Sequence, residues 1–260
     1  MNKKKQIFYT REYRHMINTP LSNLLEILCT VVPFLIILRV CYSGFSLWLS
    51  EVAKGVLEVL FGVEAEIAQN DSLAFFDPVF YVDIEGRKPG FTMCFVLFVA
   101  VLFLFIIILQ IFEKYKSFMI YIGIFLGILL VSDIYFVFWG DKFPYTLGSY
   151  ANIYMLQQVV LWFAISLVSV VALSILPGIH GSALLSFWTI MIYSVIYDSV
   201  RYIVFVVFLY WATNVFMAPL YFMCGVFLDF MYVVAIYAIY ARRISEKFNK
   251  REEMRAWEWS

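Results

Sequence analysis

A small set of polar residues set into long apolar runs carries whatever chemistry this chain has: Cys94, Asp133, Gln157, Gln158, Asp198, Arg201 and Asp229. Cys94 stands in the first turn of FTMCFVLFVAVLFLFIIILQIF, just after the polar stretch VDIEGRKPG, so a thiol falls at a membrane boundary. A lone helical cysteine is also an ordinary small apolar residue, and its neighbours decide between the two. Asp198 and Arg201 are three apart on one helix face, a spacing that suits an ion pair as well as a charged substrate site. Asp133 has no base near it in sequence. Gln157 and Gln158 have the character of interhelical hydrogen-bonding residues. Asp229, midway along its apolar run, fits a relay or a buried pair. Ionisable groups at membrane depth face a bundle interior, a cavity or a partner, so these residues mark candidate binding positions.

The elements that hold them are membrane helices. Hydrophobic residues make up 63% of the 260, charged residues 15%, and mean hydropathy is +0.85, which removes the chain from the soluble class. About 20 residues at 1.5 Å rise cross about 30 Å of hydrocarbon. Six runs qualify: 21–40, 91–112, 117–139, 151–176, 182–211 and 218–240, giving an all-α, polytopic integral membrane fold. Between the first two, FSLWLSEVAKGVLEVLFGV (45–63) has apolar residues three and four apart with Glu51, Lys54 and Glu58 opposite them, which predicts a separate interfacial helix. The acidic stretch after it, with its FYVDI alternation, predicts a short hairpin-like cap. Trp48, Trp139, Trp162, Trp188 and Trp211 lie near the ends of apolar runs, as interfacial aromatic belts do.

Charge sets the expected orientation. Lys3, Lys4, Lys5, Arg11 and Arg14 oppose only Glu12 in a basic leader, residues 1–21, with no cleavable signal expected. Residues 48–90 carry eight acids and three bases. The tail, 241–260, carries six bases and four acids, so the domain 22–240 is expected in the cell (inner) membrane with both termini cytoplasmic and segment 45–90 outside. On that topology Cys94, Asp133, Gln157, Gln158, Asp198, Arg201 and Arg39 all lie in the outer half of the bilayer, as an outward-opening polar pocket requires. A formal net charge of zero offers nothing to nucleic acid. Cys29, Cys41, Cys94 and Cys224 lack metal-site or disulfide spacing, so neither a metal nor a cofactor is expected.

From about residue 50 to 177 the chain resembles the exosortase/archaeosortase family of membrane-embedded transpeptidases. The likeness rests on VLEVLFGVEAE, on the strand-like FYVDI, on the cysteine of FTMCFV at the start of the next span, and on the two spans that follow. It implies a Cys, Arg and His triad at the outer membrane face, which cleaves the C-terminal sorting helix of exported proteins and transfers the product through a thioester. A thiolate attacks the carbonyl, a histidine handles protons and an arginine stabilises negative charge. On this resemblance Cys94 is the nucleophile and Arg201 the anion stabiliser.

The pattern is incomplete. The small residue and glycine that follow the family's cysteine are missing after Cys94, SDIYFVF offers Asp133 and Tyr135 where an arginine belongs, and GSYANIYMLQQVV offers Gln157 and Gln158 with no histidine. A second overlay sets the family's Asn-x-x-Arg on DSVR, and Gln157 then stands in the cysteine's place. His180 falls in a loop expected to face inward. The resemblance therefore implies a degenerate member, which either processes its substrate with Cys94 and Arg201 or binds a peptide or lipid without cutting it. Its expected partners are the bilayer and either the membrane-anchored tail of an exported protein or an envelope lipid or glycan. Two other classes suit the same residues: a non-enzymatic membrane subunit of an envelope assembly or export complex, and a small transporter using Asp133, Asp198, Arg201 and Asp229 at membrane depth.

Overall fold

The computed structural model describes residues 21–73, 75–76, 78–111, 116–175 and 182–258. The basic leader up to residue 20, most of the EKYK turn and His180 lie outside them. The chain is an all-α membrane protein, and six helices among the described residues are long and apolar enough to cross a bilayer. The helices are α1 (Leu21–Phe61), α2 (Phe91–Ile111), α3 (Lys116–Trp139), α4 (Leu147–Ile175), α5 (Ser182–Ala212), the short α6 (Met217–Tyr221) and α7 (Phe227–Glu258). One antiparallel hairpin, β1 (Glu66–Asn70) and β2 (Val79–Asp83), pairs Glu66 with Asp83 through Asn70 with Val79. The cap expected from FYVDI is this hairpin.

The first expected span and the expected interfacial helix are one 41-residue helix. Its buried residues Phe34, Leu38, Tyr42, Ser46, Leu49, Ala53 and Leu57 recur every three or four positions across the expected break between residues 40 and 45. An unbroken apolar stripe favours an unbroken helix. At about 60 Å, α1 is twice the thickness of the hydrocarbon core. It stops at Gly62, whose φ of 64° suits a glycine and whose N–H donates to the Glu58 carbonyl at 2.8 Å. The fifth apolar run is a single helix, α5. The sixth is broken: α6 passes into a π turn, Phe222–Val226, before α7 begins, and α7 runs past residue 240 into the charged tail.

The residues form two compact units, with α1, α4, α5 and α7 each contributing to both. In the first (up to Val40, Val160–Ile196 and from Phe230), Phe34 meets Phe187 and Trp188 edge-on at 5.9 and 6.2 Å. There Tyr232 also donates to Ser194 Oγ at 2.7 Å. In the second (Cys41–Val159 and Tyr197–Asp229), the hairpin is tied to α1 by the Phe80 N–H donating to Ser46 Oγ at 3.1 Å. It is tied to α5 by the Val82 N–H donating to Tyr202 at 3.2 Å. Burial and the neighbouring Asp83 raise the pKa of the hairpin's Tyr81 hydroxyl. Cys94, Asp133, Gln157, Gln158, Asp198, Arg201 and Asp229 all belong to this second unit, and Arg39 to the first.

Candidate functional site

Arg201, on α5, is the centre of the site. A guanidinium has five N–H donors in a fixed planar fork, and each of these meets an oxygen. Nε donates to the hydroxyl of Tyr154 on α4. Nη1 donates to the Cys224 and Gly225 carbonyls, each at 3.0 Å. Nη2 donates to Asp198 Oδ1 at 2.7 Å and to Asp229 Oδ2 at 2.9 Å, and Asp229 Oδ1 is 2.8 Å from Nη1. The Tyr197 and Tyr154 rings lie 5.2 and 5.5 Å from the guanidinium carbon, a cation–π distance. Arg201, Asp198 and Asp229 are all buried.

The sequence requires this arrangement locally. Asp198 and Tyr197 precede Arg201 by three and four residues on one helix, which stacks all three along one face of α5. The carbonyls come from the break in the sixth span. At Gly225 the backbone leaves the helical path (φ −92°, ψ −114°), and interrupted backbone at membrane depth must find partners inside the protein. Tyr121 on α3 donates to the Met223 carbonyl at 3.0 Å, and Arg201 supplies the next two. Three successive carbonyls of the π turn are thus satisfied by side chains from two other helices.

The expected Asp198–Arg201 pair is present, and Asp229 is its third member, a buried pair rather than a free carboxylate. Asp133 does not join it. Asp133 shares the α3 face of Leu126, Leu129 and Phe136, which forms an apolar cluster with Cys94, Val101 and Val215. It has 0% exposure, and both carboxylate oxygens lack a hydrogen-bond partner among the described residues. Beside it Ser132 Oγ donates to the Val215 carbonyl at 2.7 Å. Cys94 is buried in this cluster, within electrostatic range of Asp133. None of the residues bonded to Arg201 belongs to it. Among the described residues no hydrogen bond or ion pair of Arg201 reaches Cys94 or Asp133, so the three residues of the expected pocket are not joined by direct contact. Gln157 lies beside the break: a Cβ built on Gly225 would be 3.7 Å from its Nε2, and its Oε1 is without a partner among the described residues. Gln158 Oε1 accepts from Tyr42 at 3.4 Å.

No protein-family model, curated protein or solved structure matches this chain. The site is read from its own geometry.

Next to the arginine cluster is a cleft of about 330 Å³ that sequence reasoning did not find. It is lined by the loop after α3 (Phe143, Tyr145), the first turns of α4 (Tyr150, Ile153) and the α6 segment (Met217, Tyr221, Phe222). Thr146 caps α4 by accepting from the Ser149 N–H at 3.1 Å, and Asn214 Nδ2 donates to the Tyr145 carbonyl at 3.4 Å, which fixes the loop. The Tyr150 ring packs against that of Tyr154 at 6.4 Å, so cleft and cluster share one aromatic wall. The signals for this site in sequence were the tyrosines four apart at 150 and 154 and the glycine at 225, and only folding sets them beside Arg201.

Proposed function

We propose that this chain is a multi-pass membrane protein of exosortase-like architecture that binds, without cutting, the membrane-anchored tail of an exported protein or an envelope lipid or glycan. The orientation that goes with this reading places both termini in the cytoplasm of the cell membrane. One observation carries the non-cutting part: all five donors of Arg201 are already occupied by protein oxygens. An oxyanion stabiliser must offer donors to the place where charge develops, and this guanidinium has none to offer. Cys94 is buried in an apolar cluster, no base is hydrogen-bonded to its thiol among the described residues, and the carboxylate of Asp133 near it repels a thiolate instead of activating it. The break at Gly225 is the feature a transporter would use to coordinate its cargo. Here the carbonyls it exposes are held by Arg201, which weighs for binding over transport.

C-terminal peptide mass spectrometry of exported proteins tests this, in cells lacking the chain and in cells restored with the wild type or with Cys94→Ala. Unshortened tails in all three, and co-isolation of the same tails or lipids with both forms of the protein, are expected. Shortened C termini that depend on Cys94 would overturn the reading in favour of a cysteine transpeptidase.

A further inference from the structure

The cleft beside Tyr150 has the attributes of a ligand site rather than of a packing defect. Met217 and Tyr150 form its buried floor, and Tyr145 and Phe222 on its rim are 51% and 58% exposed. Ile153, also on the rim, is exposed as well. Cavities of about 300 Å³ and upward, mostly apolar with a few placed polar groups, are the usual form of small-ligand sites. Here the polar groups are tyrosine hydroxyls alone, with no charged side chain in the lining. Tyr150 is 5% exposed, and its hydroxyl is buried with no hydrogen-bond partner among the described residues. Tyr150 lines the cleft, and its buried hydroxyl lies within electrostatic range of Tyr221, Cys224 and Arg201. A buried hydroxyl without a partner costs free energy that a ligand acceptor would recover.

Position and size select the occupant. The lining comes from the loop between two spans and the first turns that follow it, the depth at which aromatic side chains meet lipid headgroups and carbonyls. The exposed rim residues are apolar or aromatic, so the mouth is continuous with the lipid-facing surface. A transmembrane peptide helix is about 10 Å across with its side chains and does not enter a space of this size. We propose that this cleft holds the hydrocarbon chain of a membrane lipid, with the Tyr150 hydroxyl donating to the lipid's carbonyl or hydroxyl oxygen where chain and headgroup join. This rests on the protein being a binding one and names lipid as a ligand class for it.

The test uses the full chain in lipid nanodiscs doped with a phospholipid carrying a diazirine on one acyl chain, with the labelled residues mapped by mass spectrometry. Label is expected to concentrate on residues 143–153 and 217–222 over the lipid-facing surface of α2 around Phe103. Ala218 also lines the cleft, so Ala218→Trp, which fills it, should lower cleft labelling at least about tenfold without changing α2 labelling. Tyr150→Phe keeps the ring and the fold and removes only the hydroxyl, so it should weaken labelling about fivefold, the worth of one net hydrogen bond. Cleft labelling no stronger than on α2, or indifferent to Tyr150→Phe, means annular lipid only and overturns the proposal. So does a photoreactive apolar peptide that labels the cleft where the lipid does not. The readout involves neither Cys94 nor any exported protein, so its failure leaves binding of a protein tail untouched.

Discussion

Arg201 is held as few buried arginines are, with two carboxylates, two carbonyls and a phenol on one guanidinium. Removing one partner of such a network leaves the others buried and uncompensated, whereas removing the charges together is often close to neutral. Arg201→Met should therefore destabilise the protein by about 3–5 kcal/mol, read as a lowered midpoint of thermal unfolding in detergent. Adding Asp198→Asn and Asp229→Asn to it should recover part of the loss. Arg201→Lys should fall between, because an ammonium has three donors against five and no planar fork. A midpoint for Arg201→Met no lower than that of an exposed substitution would show the cluster to be dispensable for folding. Asp133 is the opposite case: a carboxylate at full burial with no bonded partner among the described residues, kept despite the cost of burying it.

At the scale of elements, the connection from α5 to α6 stores strain. Thr213, directly after α5, has φ 90° and ψ 168°, a region open almost only to glycine, and its hydroxyl is buried without a hydrogen-bond partner among the described residues. Such a residue costs about 1–3 kcal/mol, and glycine gives back about 0.5–1 kcal/mol through the freedom it loses on folding. Thr213→Gly should therefore raise stability by about 1 kcal/mol, seen as a higher unfolding midpoint. A lower midpoint would mean that the hydroxyl or the β-branched side chain contributes more than the strain costs. The strained residue leads directly into Asn214, which holds Tyr145 at the cleft, and into Val215, which accepts from Ser132. The break at Gly225 follows ten residues later. Thr213 and Gly225 thus put irregular backbone on either side of α6, which lines part of the cleft and leads into the carbonyls that Arg201 holds.

At the scale of the molecule, six helices among the described residues are long and apolar enough to span, and six single crossings would be an even number. An even number returns the chain to the side on which it began. Reporter domains fused to the two termini should accordingly give signals from the same side of the membrane, measured by protease protection of right-side-out vesicles. Signals from opposite sides would show that one of the six helices does not cross. The long α1 is the one to examine in that event, since it is the farthest from the expected length of a single span.

Membrane residence, the all-α class and the positions of the second to fifth spans follow from the sequence itself, because about 20 consecutive apolar residues have few stable conformations other than a spanning helix. The Asp198–Arg201 pair was legible for a similar reason: three residues apart on a helix is a distance set by local geometry. Tertiary structure decided the rest. A split between residues 40 and 45 was expected from a change in apolar pattern, but burial from Phe34 to Leu57 forms one stripe, and packing along it keeps the helix whole. Asp229 lies 28 residues from Arg201, the π-turn carbonyls more than 20 and Tyr154 47, and no periodicity relates groups so far apart in the chain. The separation of Cys94 from Arg201 and the union of Tyr150 with the α6 segment were invisible for the same physical reason. Helices in lipid are selected by apolarity one at a time, while the partner that each polar face meets is fixed only when the helices pack together.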